Sequence, residues 1–228
     1  MLVIILALLF DYWSWFAEAL FTLLVLIYCL APEKLDDQLD HYIDAVDRSD
    51  GHTAAEMSEA IIQQKYIEDD DTDQTAIVKC ALIDSHRRTY AVIFWFLVLG
   101  VVGAVLYRLV DELTRELDGI HGGLSDSSEI LLNILEWPST RLYIVGLALA
   151  GSLVHALSAW KTAERLSLDV NREVLMQAGI GALQYYPNIE LPDREKSYWI
   201  GELKALINRT LIIWMAILGI MTLAGKLG

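Results

Sequence analysis

An uncharged run of eighteen residues, Tyr90 to Tyr107 (YAVIFWFLVLGVVGAVLY), follows Arg87 and Arg88 and is closed by Arg108. At about 1.5 Å of rise per residue, a helix of that length measures roughly 27 Å, close to the hydrocarbon thickness of a bilayer. The run therefore predicts a membrane-spanning helix over 90–107, with charged residues at both edges. Three further apolar stretches predict spans at about 12–32, 140–160 and 210–225, the third of these four opening at the motif Leu135 to Leu142, LEWPSTRL. Proline is tolerated in the first turn of a helix, so Trp137-Pro138 reads as the entrance to that span.

Between the apolar stretches lie polar segments, about 33–89 and 161–205, that carry most of the charge. Hydrophobic residues make up 55% of the chain and the net charge is −14, which concentrates the acids outside the membrane. Such a chain repels phosphate backbones, and nucleic-acid binding is excluded on that ground. In 33–89 the residues Leu35, Leu39, Tyr42, Ile43 and Val46 fall at spacings of three and four, the mark of an amphipathic helix. Asp50-Gly51 breaks it, and Thr53 to Glu56 reads as a capping box for the next helix. Glu68 to Asp71 with Asp73 is a solvated acidic run, without the alternating spacing and glycine of a calcium loop. A third helix, about 73–89, leads into the run at Tyr90. The fold class is all-α: an integral membrane protein with about four spans and cytoplasmic amphipathic helices, one domain over 1–228. Basic residues near the span ends number seven on the side of the two polar segments and four on the other. That bias puts the polar segments in the cytoplasm and both termini outside. The aromatics Tyr12, Trp13, Trp15 and Phe16 favour an interfacial Asp11 before the span, the alternative being two shorter pieces that meet near Asp11 within the membrane.

The chain has no Walker loop, HExxH, CxxC pair or GxSxG, and its five histidines are scattered. Cys29 and Cys80 read as free thiols, and neither a metal nor a cofactor is expected. Small residues spaced along one helix face, Gly100, Gly103 and Ala104 in one span and Gly146 and Ala150 in another, suit close helix packing. At one membrane edge Arg108, Asp111 and Glu112 stand with Glu136, Trp137 and Arg141. Such an arginine–carboxylate group either locks helices together or holds an anionic headgroup, a phosphate or a partner. On the opposite edge Arg87 and Arg88 are candidates for binding lipid headgroups, or are the topology signal alone.

FWFLVLGVVGAVLYR (94–108) followed by LEWPSTRL (135–142) resembles the AmpE inner-membrane proteins, a superfamily shared with the CobD/CbiB cobinamide-phosphate synthases. Phe94, Trp95, Gly100, Gly103, Tyr107 and Arg108 carry the likeness, supported by YCLAP (28–32), DRSDGHTAAEMSEAI (47–61) and GELKALINRTLIIW (201–214). The synthase branch has an Asn/Ser/Asp-Gly signature before the Phe-Trp pair, where this chain reads LIDSHRRTYAVI; the polar positions after Tyr-Lys are here Asp111 and Thr114. The N-terminal membrane portion is shorter than is typical of the family, which makes Met1 a candidate late start. The resemblance implies a non-catalytic protein of the bacterial inner membrane, linked to beta-lactamase induction. Its partners would be membrane lipids and a membrane or cytoplasmic protein. Two other readings stay open: an accessory subunit of a larger membrane complex, and a divergent ligase acting on an amphiphilic phosphorylated substrate.

Overall fold

The computed structural model describes residues 24–26, 28–29, 33–62, 71–117, 123–163, 170–187, 189 and 191–227. Most of the expected span over 12–32, Asp11, and Glu68 to Asp70 of the acidic run lie outside the described residues. The described chain is all-α, with eight helices. They are α1 (Glu33–Asp47), α2 (Gly51–Ile61), α3 (Asp73–Ser85), α4 (Ala91–Glu116), α5 (Gly123–Ala150), α6 (Leu153–Ala163), α7 (Val170–Leu183) and α8 (Asp193–Leu227). A π-helical turn, His86–Tyr90, joins α3 to α4.

The polar helices form as their spacing requires. Leu35, Leu39, Tyr42 and Val46 of α1 are buried, and Ile61 of α2 joins the same core. The cap of α2 differs from the expected box. Asp50 accepts from the Thr53 amide at 3.2 Å and from its hydroxyl at 2.7 Å, so the helix starts two residues before Thr53. A carboxylate one residue ahead of Gly51 reaches the free amides first and makes the threonine a partner rather than the cap. The acidic run likewise has a structural use at its end, where Asp71 takes the buried Lys79 ammonium at 2.8 Å. Both cysteines are free and buried.

The apolar helices depart from four straight spans. Two helices are long and apolar enough to be membrane-span candidates, Asp73–Glu116 and Asp193–Ile220. Only 28% and 17% of their most apolar windows are buried, so that surface faces outward, unlike the core helix of a soluble protein. The expected helix over 140–160 is interrupted: α5 ends at Ala150, and Gly151-Ser152 starts a turn into α6. The Ser152 amide there donates to the Ala182 carbonyl at 2.9 Å, and Gly151 lies so close to that carbonyl that a Cβ would come within 2.4 Å of it. Pro138 is not in a first turn, as expected, but lies well inside α5. Beside it, Trp95 Nε1 donates to the Leu135 carbonyl at 3.1 Å and Ser139 Oγ to that of Glu136 at 3.1 Å.

The largest correction concerns 90–107 itself. Gly100 has φ +67° and ψ −153°, and the helix doubles back there. In a straight helix Asp84 and Arg115 would lie more than 40 Å apart, at about 1.5 Å per residue. Instead they form an ion pair at 3.3 Å, and Arg87 reaches Asp111 at 3.9 Å. Near the bend, a Cβ on Gly103 would lie 2.3 Å from the Trp95 carbonyl oxygen, so the two arms touch backbone to side-chain position. Gly100 therefore makes the turn and packs against nothing within 4 Å, against the expectation that it is a helix-contact residue. Gly103 and the fully buried Ala104 lie between the arms. Gly146 meets Trp214 and Thr210 of α8, and Ala150 is partly buried against the main core.

Candidate functional site

Because the helix folds back, its two charged edges become one. The foot of the hairpin gathers Asp84, Arg87 and Arg88 from the descending arm and Arg108, Asp111, Glu112 and Arg115 from the returning one. Glu136 of α5 closes the group. Arg87 Nε lies 2.6 Å from Glu136 Oε1 and its Nη1 lies 3.9 Å from Asp111 Oδ1. Arg108 and Arg115 each approach Asp111 Oδ2 at 3.3 Å, and Arg88 pairs with Asp84 at 2.6 Å. Arg108 also reaches Glu112 at 3.7 Å. Four arginines thus face four carboxylates, with Arg87, Asp111 and Glu136 almost wholly buried.

Burial of this kind is costly unless every charge is compensated, and here the compensation is mutual. Asp111, with no exposed surface, has three guanidinium groups around it. Arg87 was expected at the opposite membrane edge as a headgroup ligand; it is 3% exposed and bound inside the protein. Arg88 is largely covered and held by Asp84. The members that solvent reaches are Arg108, Arg115 and Glu112, of which Glu112 is the most open. Above the group sits Tyr107, fully buried, whose hydroxyl has no hydrogen-bond partner among the described residues.

Two expected members stand apart. Arg141 donates to Asn171 Oδ1 of α7 and lies 5.0 Å over the Trp137 ring, a cation–π contact. Asn171 in turn donates to the Asn133 carbonyl at 2.8 Å, so Trp137, Arg141 and Asn171 tie α5 to α7. Next to the ionic group, His86 contacts Ser139 at 3.1 Å, Ser85 bonds Tyr143 at 2.8 Å, and the Tyr90 and Tyr143 rings lie 4.0 Å apart. Among the described residues no group of three His, Cys, Asp or Glu side chains is arranged to hold a metal ion.

Asp84 and Arg115 were missed in the sequence, yet a signal was present. Asp84 and Arg115 stand almost equally far from Gly100 on either side, as do Arg87 and Asp111, and each pair is of opposite charge. Opposite charges placed in this way on either side of a glycine fit a chain that turns at Gly100.

Among known proteins, residues 1–179 match a family described as regulatory signalling modulator protein AmpE. The chain is also similar to two cobalamin biosynthesis proteins named CobD. The one from Stutzerimonas stutzeri is 32% identical over 115 residues, covering 47% of this chain and 37% of that protein. The one from Chromobacterium violaceum is 28% identical over 162 residues, covering 62% of this chain and 51% of that protein. The chain thus spans about half or less of the length of these relatives. No solved structure matches it. With the family match extending over most of its length and through both arms of the hairpin, this chain belongs to the AmpE family of regulatory signalling modulator proteins.

Proposed function

We propose that this AmpE-family membrane protein acts without catalysis, in the bacterial inner membrane, as a modulator of beta-lactamase induction. The observation that carries this reading is the ionic group at the foot of the hairpin. Its buried arginines and carboxylates neutralise one another, which suits a lock between helices. A catalytic acid or base would instead face a substrate. The members that solvent reaches, Arg108, Arg115 and Glu112, together with the helices α1, α2 and the start of α8, are the surface offered to a protein partner. The test is deletion of the gene in its own host, followed by induction of beta-lactamase with a beta-lactam. Altered induction, restored by the wild-type chain, is expected; unchanged induction overturns the regulatory reading.

A second reading, a divergent ligase for an amphiphilic phosphorylated substrate, draws on the CobD similarity and on the Tyr107 hydroxyl, which has no hydrogen-bond partner among the described residues. Expression of this chain in a strain lacking CobD decides it. Cobalamin-dependent growth that stays absent supports the non-catalytic reading, and rescue overturns it. Should the native protein purify in mild detergent as a fixed part of a larger assembly, it is an accessory subunit instead.

A further inference from the structure

We propose that the 90–107 hairpin is a re-entrant element: it enters the hydrocarbon of one leaflet and leaves by the same face, without crossing the membrane. Three observations lead there. The first is the direction of the chain. Asp84 with Arg115 and Arg87 with Asp111 form ion pairs across the two arms, so both ends of the uncharged run lie at one level.

The second is the character of the tip. Leu97, Val98, Leu99 and Val102 around the bend are all more than half exposed, and no charged residue occurs between Arg88 and Arg108. An apolar surface that ends in a ring of arginines and carboxylates is complementary to a lipid leaflet, with hydrocarbon at the tip and headgroups at the foot. The bend breaks the helix at the exposed Gly100 while the turns on either side stay helical, so at that depth the freed backbone groups need cover from protein or water.

The third is depth. From Arg88 to Gly100 a helix rises only about 18 Å, a little over half of the roughly 30 Å hydrocarbon layer. α8 supplies a ruler beside it. The Tyr90 hydroxyl donates to the Ile207 carbonyl at 2.8 Å, and Phe94 and Leu97 share an apolar cleft with Trp214, Met215 and Leu218. The tip is therefore level with the region near Leu218, whereas α8 continues to Leu227. From Ile207 to Leu227 the rise is about 30 Å, enough to cross. The hairpin stops short beside a helix that goes on.

Single cysteines placed before and after the hairpin test this in sealed vesicles of both orientations. Glu59→Cys and Glu116→Cys are at exposed positions, and the buried native cysteines are checked as background on the parent chain. A membrane-impermeant maleimide is expected to label both positions from one and the same face. Labelling from opposite faces would overturn the proposal. The pair Ala60→Cys and Leu113→Cys repeats the comparison if either first variant fails to accumulate. Val102→Cys carrying a fluorophore fixes the depth: stronger quenching by lipids with nitroxide at mid-chain than at the headgroup is expected. Reaction of Val102→Cys with the impermeant reagent from either side would show a tip in water, and the proposal would fall.

Discussion

At the scale of single residues, the ionic foot of the hairpin makes removal of a charge very different from removal of a neutral polar group. Arg87→Met leaves Glu136 without its 2.6 Å partner and Asp111 with one guanidinium fewer, inside the protein. Breaking a buried pair in this way costs about 3–5 kcal/mol, and a large fall in the thermal midpoint in detergent is expected. Replacing the pair together, Arg87→Met with Glu136→Leu, recovers part of that loss; an equal or greater loss would show that the two side chains do not act as a pair. Tyr107→Phe is the contrasting case. It removes a buried hydroxyl with no partner among the described residues, so the expected stability change is within about 1 kcal/mol of zero, in either direction. In the water-facing layer, burial first, then the Asp73 and Asp193 carboxylates and Tyr185, push Tyr42 from its ordinary value of 10 up to about 12. The folded state holds the neutral phenol, so its contribution is complete below pH 10 and is lost as the pH rises through 12. A titration of tyrosinate absorbance is expected to lose a step near pH 12 in Tyr42→Phe.

At the scale of elements, Gly100 decides the architecture. Its backbone lies in a region that only glycine adopts readily, and a Cβ there meets no neighbour, so the penalty of Gly100→Ala is conformational and amounts to about 1–3 kcal/mol. Gly103→Ala acts by contact instead, since its Cβ would come 2.3 Å from the Trp95 carbonyl. Both are expected to weaken the hairpin, and both are measured by loss of a cross-link between cysteines at positions 84 and 115. A cross-link undiminished in Gly100→Ala would show that the bend does not need glycine. These glycines also mark where the sequence was legible. The amphipathic stripe of α1 was plain because spacing of three and four encodes one buried face directly. The run over 90–107 was plain as apolar, but hydropathy carries no direction, and a bend of one residue leaves it unchanged. The ionic group was half legible for the same reason: Arg108, Asp111 and Glu112 are neighbours along the helix, while Arg87 joins them only because of the bend. Pro138 misled by a general rule, since proline favours a first turn, whereas here it lies well inside α5.

At the scale of the whole molecule, α8 runs through both halves. Its first turns pack Ile200, Leu203 and Leu206 into the core shared with α1 and α3, and Lys204 reaches Asp40 of α1 at 2.6 Å. Farther along, Thr210 and Trp214 lie against Gly146 of α5, and Leu211 to Leu218 line the apolar cleft beside the hairpin. The crossing at Gly146 is therefore a close contact between α5 and α8, the helix that also packs on α1. There is no room in it: a Cβ would come 2.4 Å from Trp214 Nε1 and 2.7 Å from the Thr210 methyl. Gly146→Leu must push α8 away from α5, an overpacking cost of about 1–3 kcal/mol. If α8 couples the halves, the effect is not confined to the crossing. Hydrogen exchange is expected to quicken in α1, which Lys204 and Leu203 hold, as well as in α5 and the lower half of α8. Lys204→Ala alone loses only a partly exposed ion pair, worth at most about 1 kcal/mol, and leaves exchange in α5 unchanged. Faster exchange at α5 and α8 in Gly146→Leu, with α1 unaffected, would mean that the two layers are stable independently. A regulatory protein that relays a change from the bilayer to a partner needs the opposite result.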